Sequence, residues 1–185
     1  LFDAFMNVGT GVKTIKVLES HDVNDGIEKV YNEIKVGTNQ NITLDLNGKT
    51  IIHDIGNITI MQSGYLEIID NVGSGKYRLE NEKFKTESNG KLVLTSGTIE
   101  AERDNASNII YNMGSGYFTM NGGQIRVISK VGYCNAIRQY ATTPIYINGG
   151  EIIVEGETRA TGINYGDNGA VYITGGKITA TAKKL

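Results

Sequence analysis

LVLTSGTIEA at residues 92–101, FTMNGGQIRV at 118–127, IYINGGEIIV at 145–154 and VYITGGKITA at 171–180 superimpose without a gap, with first residues 26, 27 and 26 positions apart. Apolar residues alternate at the head of each segment: Leu92 and Leu94, Phe118 and Met120, Ile145 and Ile147, Val171 and Ile173. A two-residue period is that of a strand with one buried face. A Ser-Gly or Gly-Gly pair then marks a sharp bend, because glycine alone enters positive φ without steric cost. A second alternating run follows at Ile99, Ile125, Ile152 or Ile178, and a third carries Ile110, Ile137 and Ile163 between units.

Working outward, LDLNGKTII from Leu44 and LEIIDNVGSGKYRL from Leu66 fit the same frame more loosely, giving a period of about 25 residues. A repeat of this size cannot bury its own apolar edge, but stacked repeats can, with each strand hydrogen-bonded in parallel to its copies above and below. The pattern predicts an all-β chain: a β-solenoid of roughly six turns, three short strands per turn, with neighbouring strands about 4.8 Å apart. One inward column is expected to run Leu44, Leu66, Leu92, Phe118, Ile145, Val171, and the next Leu46, Ile68, Leu94, Met120, Ile147, Ile173. A polar column of Asn47, Thr95, Asn121, Asn148 and Thr174 is expected to bridge turns as amide ladders do.

Composition agrees with this reading. Of 185 residues, 24 are glycine, one is proline and 39% are hydrophobic, which excludes collagen and low-complexity disorder. A net charge of −2 offers no basic footprint for nucleic acid or anionic membrane. No apolar run approaches the eighteen or so residues of a membrane span, so no membrane insertion is expected of this segment. The single cysteine, Cys134, excludes an internal disulfide and reads as a small packed hydrophobe.

Residues 1–40 read as an entry and capping segment and 41–185 as the solenoid turns. TIKVL at 14–18 is a strand; Asp22 to Val36 suits an amphipathic helix or an alternating strand, with a strand-rich cover for the open end of the stack preferred. The chain ends straight after a regular unit, so the native protein is expected to continue.

NITLDLNGKTI at 41–51, then LEIIDNVGSGK, then the repeated NGGxI units resemble the right-handed, single-stranded parallel β-helix domains, of the pectin lyase-like fold, in large adhesin-like surface proteins of Gram-positive gut bacteria and some methanogenic archaea. The resemblance covers nearly the whole chain. It implies a right-handed helix and an extracellular, surface-displayed or secreted setting, with polysaccharide, host glycan or a surface protein as partner. It implies structural rather than catalytic roles for Leu44, Asp45, Leu46, Asn47, Gly48 and Lys49.

The same fold also hosts lyases and glycoside hydrolases, so a carbohydrate-active enzyme, or an inactive relative that still binds polysaccharide, is the alternative. A hydrolase needs two carboxylates about 5 to 10 Å apart over one face. The outward column Asp45, Glu67, Val93, Thr119, Tyr146, Tyr172 offers one stacked acidic pair, Asp45 and Glu67, with no basic residue beside it. A lyase needs a base and a cation. Glu102, Arg103 and Asp104, or Glu155, Glu157 and Arg159, are the mixed-charge stretches, both reading as solvated loop tips. DVNDG from Asp22 and YGDNG around Asp167 match no calcium loop, so no metal or cofactor is expected. No catalytic residue is assigned.

The outward aromatics are the candidate ligand-binding residues. Tyr146 and Tyr172 fall on neighbouring turns of one face with Tyr117 and Tyr65 beside them, and Tyr111, Tyr140 and Tyr165 fall on the third face. Flat rings with a polar tip suit sugar or protein contacts; strand propensity and ring stacking are the favoured account of tyrosines in a ladder, with ligand binding the alternative.

Overall fold

The computed structural model describes residues 1–23, 33–54, 56–104, 107–166 and 169–184. Three parallel sheets form the walls of a β-solenoid of about six turns, about 26 residues per turn. The first sheet stacks Gly11–Lys16, Gln40–Asp45, Tyr65–Ile69, Lys91–Leu94, Tyr117–Met120, Ile145–Ile147 and Val171–Ile173. The second stacks His21–Asp22, Thr50–His53, Lys76–Leu79, Thr98–Arg103, Gln124–Ser129, Glu151–Gly156 and Lys177–Ala182. The third stacks Ile34–Val36, Ile58–Ile60, Phe84–Thr86, Ser107–Gly114, Tyr133–Ala141 and Arg159–Tyr165. Every pairing is with the strand one turn away, the stacking that the repeat predicts.

Strand register follows the four aligned segments. Leu92, Phe118, Ile145 and Val171 are successive partners, as are Ile99, Ile125, Ile152 and Ile178. In the interior turns these apolar side chains have essentially no exposure, so each contributes about 1.5–3 kcal/mol of hydrophobic stabilisation. In the last turn the column is uncovered, with Ile173 56% exposed.

The expected partners of the two early units need correction. Leu66 sits on Ile42 rather than Leu44, and Leu44 sits beneath Ile68. The step between these turns is 24 residues, not the 22 that aligning Leu44 with Leu66 requires. A two-residue shift keeps each side chain on its own face of the pleat, so the burial expected for Leu44 and Leu46 holds while their neighbours change. Leu46 lies past the strand, under the corner, where a Cβ placed on Gly75 would fall 2.6 Å from its own.

The corner after the first sheet shows why glycine recurs. Gly123 has φ +71, and an added Cβ would lie 2.6 Å from the Gly97 carbonyl oxygen of the turn before. One such glycine per turn lets the chain reverse while pressed on its own copy.

Two groups of buried polar side chains pair across turns inside the stack. Beneath the third sheet, Thr86 Oγ1 donates to Asn112 Oδ1, and Asn112 Nδ2 donates to Gln139 Oε1 at 2.6 Å; all three side chains are buried. In the second, buried Tyr77 and His53 meet through hydroxyl and Nδ1 at 2.8 Å, and His53 Nε2 lies 2.8 Å from the Gly56 carbonyl. Burial drives the Tyr77 hydroxyl well above its ordinary pKa. At the entry, a short helix, Phe2–Met6, buries Phe5 and packs against Ile34–Val36. Of the segment read as helix or strand, Ile34–Val36 is a strand, and residues 24–32 lie outside the described residues.

Candidate functional site

The outer surface of the first sheet presents two columns of side chains. One runs Thr43, Glu67, Val93, Thr119, Tyr146, Tyr172; the other runs Asn41, Tyr65, Lys91, Tyr117. Parallel in-register pairing creates them: residues one repeat apart stand about 4.8 Å apart on the same side.

Tyr146 and Tyr172 meet as expected. Their rings stack with centroids 5.4 Å apart and planes at 18°, and both are exposed. Tyr117 belongs to the other column, where Lys91 Nζ lies 5.5 Å from its ring centroid. The three tyrosines thus share a face in two adjacent columns. Tyr65 stands on the other side of Lys91, its hydroxyl 3.5 Å from Glu67 Oε2; burial first, then the Glu67 charge, raises its pKa.

The polar ladder forms at the same sheet's edge. Asn148 Nδ2 donates to Asn121 Oδ1 at 3.0 Å, and Thr174 Oγ1 donates to Asn148 Oδ1 at 2.9 Å. Thr95 keeps its place below Asn121 but donates to Glu67 Oε1 at 2.6 Å, and Asn47 donates to the Val17 carbonyl at 2.9 Å, so neither side chain joins the ladder.

The stacked acidic pair is not present. Glu67 pairs in register with Thr43, while Asp45 lies opposite Ile69. Asp45 is 3% exposed and accepts from Asn47 N and Asn71 Nδ2, both at 2.9 Å. The cause is again the 24-residue step, which moves Asp45 from over Glu67 to the corner. Asp70 has the same kind of role, accepting four backbone N–H groups from Gly48, Val72, Gly73 and Gly75.

The mixed-charge stretches separate into local pairs. Arg103 Nη1 donates to the Glu80 carbonyl at 2.9 Å, and Glu102 pairs with Lys130 at 3.6 Å. Burial lowers the Arg103 pKa against the pull of Glu82 and Glu80. Glu157 pairs with Lys184 at 2.8 Å, and the hydrogen bond to that ammonium holds its carboxyl below its ordinary value. Among the described residues no three His, Cys, Asp or Glu side chains converge; Asp167 and all but Asp22 and Val23 of DVNDG lie outside them. Cys134 is buried, with burial raising its pKa.

The sequence reading missed two cations. On the third sheet Arg138 lies over Tyr140 at 4.3 Å and Tyr111 at 5.8 Å, with its Nη2 donating to the Tyr140 hydroxyl at 2.5 Å. Tyr165 stands apart from this group, its hydroxyl donating to the Gly169 carbonyl. Lys91 is the other, and its signal was present: it begins the segment that aligns with Tyr117. Six other lysines pair with glutamates. Among the described residues Lys91 has no carboxylate in ion-pair reach.

Compared with protein-family models, with curated proteins and with solved structures, the chain gives no match.

Proposed function

We propose that this chain is an extracellular, non-catalytic β-helix segment of an adhesin-like cell-surface protein, a rigid scaffold whose first sheet displays aromatic side chains to glycans or a partner protein. The observation that carries this reading is the exposed Tyr146–Tyr172 stack on a face whose frame is rigidly in register. Two near-parallel rings stacked about one strand spacing apart present an exposed apolar ridge with hydroxyl tips, a surface suited to sugar or protein contacts. Further support comes from the carboxylates. Asp45 and Asp70 are committed to the corners, and Glu80, Glu87, Glu100 and Glu151 are paired with lysine or arginine, so they brace the scaffold. The surface setting rests on the resemblance of the DLNGKTI and NGGxI units.

A glycan array, followed by reducing-end and unsaturated-product assays on captured polysaccharides, tests the reading. Capture without turnover, reduced about tenfold or more in the Tyr146→Ala/Tyr172→Ala double variant, is expected, since stacking on each ring is worth on the order of 1 kcal/mol. Turnover, or an array without any capture, overturns it.

A further inference from the structure

The corner that leads from the third sheet into the first holds an open groove of about 560 Å³, within the roughly 300–1,000 Å³ of ligand pockets. Asn39, Asn41, Gln62, Ser63, Tyr65 and Lys91 line it. Three of these residues, Asn39, Gln62 and Ser63, have left-handed backbone at φ 61°, 50° and 62°. The conformation recurs one turn on at Ser88 and Asn89, so it belongs to the corner. Close stacking also requires glycine at the end of this corner: a Cβ at Gly64 would run into the Val36 carbonyl, and one at Gly90 into the Ile60 carbonyl.

What the corner supplies is chemistry. Asn39, Asn41 and Ser63 hold amides and a hydroxyl that make no side-chain hydrogen bond among the described residues, so they stand free for sugar hydroxyls. Tyr65 supplies a ring, held by its hydroxyl's contact with Glu67. Lys91 supplies an exposed ammonium between the Tyr65 and Tyr117 positions. The Glu67 carboxylate, in the adjacent column, accepts from the Thr95 and Tyr65 hydroxyls and forms no ion pair with Lys91. A lone ammonium set between rings, above free amides, is electrostatically incomplete, and an anionic group on a ring-shaped polar ligand completes it.

We propose that this groove is a subsite for an anionic sugar, a glycan unit bearing a carboxylate or sulfate, with Lys91 as its counter-charge and Tyr65 as the surface for its ring. The inference rests on the glycan-display reading above and names the class of sugar that reading leaves open.

The test is an array carrying matched neutral, carboxylated and sulfated forms of the same backbones, probed with the wild-type chain, Lys91→Met, Gln62→Ala and Tyr146→Ala, at low and raised ionic strength. Lys91 is exposed and outside the core, so Lys91→Met leaves the fold intact. Preferential capture of the charged forms is expected, weakened by salt and by at least about tenfold in Lys91→Met, the worth of one charge-assisted hydrogen bond. The carboxylated and sulfated arms distinguish the two sources of charge. Equal capture of the neutral forms, or undiminished capture by Lys91→Met, overturns the subsite while leaving glycan display standing. No capture of any form overturns both.

Discussion

Asp70→Asn removes one formal charge and one acceptor oxygen from a corner built around that carboxylate. Oδ1 accepts from Gly48 N at 2.7 Å and Val72 N at 3.3 Å, and Oδ2 from Gly73 N at 2.8 Å and Gly75 N at 2.5 Å. Whichever way an asparagine amide turns, its NH2 faces two of these backbone N–H groups, and both lose their acceptor. Hydrogen bonds to charged groups are worth about 1.5–3 kcal/mol each, so the expected loss is about 3–6 kcal/mol. Against the 5–15 kcal/mol that holds a typical domain folded, this is large. Urea unfolding followed by circular dichroism measures it, and amide hydrogen exchange at Gly73 and Gly75 locates it. The pH dependence gives an independent reading. Burial alone raises the Asp70 pKa, but the four backbone donors outweigh it, and the folded-state value lies below the ordinary one. A depressed carboxyl contributes its stability in full above the unfolded pKa of about 4 and loses it as pH falls through the folded value. Wild type therefore weakens on acidification below about pH 4, and Asp70→Asn loses that part of the slope. A loss under about 1 kcal/mol, or an unaltered acid slope in the variant, refutes the reasoning.

Gly123→Ala places a Cβ 2.6 Å from the Gly97 carbonyl oxygen in a left-handed residue, so a loss of about 1–3 kcal/mol in urea unfolding is expected. The two side-chain ladders respond differently in the same assay: Asn112→Leu strands the buried Thr86 and Gln139 and costs about 1–3 kcal/mol per orphaned group, whereas Asn148→Ala on the exposed ladder changes stability by under about 0.5 kcal/mol. Tyr77→Phe removes the hydroxyl that meets His53 Nδ1, and a loss of about 1–3 kcal/mol is expected, read as a lowered thermal midpoint.

The architecture was legible because a β-solenoid writes its geometry directly into sequence. Alternation in Leu92–Leu94 and Phe118–Met120 fixes the buried face, and a spacing of 26 or 27 fixes the neighbour, so the columns follow from the sequence. The register failed where spacing stopped being diagnostic. Between Leu44 and Leu66, shifts of 22 and 24 residues give the same alternation and the same burial, and only the hydrogen-bonded pairing of Ile42 with Leu66 separates them. That ambiguity produced the spurious Asp45–Glu67 pair, since an apolar column tolerates a two-residue slip that a carboxylate pair does not. The Tyr146–Tyr172 stack was legible because it lies in the regular region; the roles of Lys91 and Arg138 were not, because an unpaired cation beside a ring is visible only once the partners of all the other charges are placed. Asp70 was missed for a related reason: a carboxylate that binds four backbone N–H groups leaves no pattern in the side chains around it.

We propose the first sheet as a glycan-presenting face of a non-catalytic scaffold. Titrating a captured oligosaccharide into isotope-labelled protein, with amide spectra recorded beside the spectrum of the sugar, tests it most directly. Shifts confined to the Tyr65–Lys91–Tyr117 and Tyr146–Tyr172 columns, with the sugar unchanged over time, are the predicted result. Shifts confined to the second or third sheet, or the appearance of cleaved sugar, would contradict it.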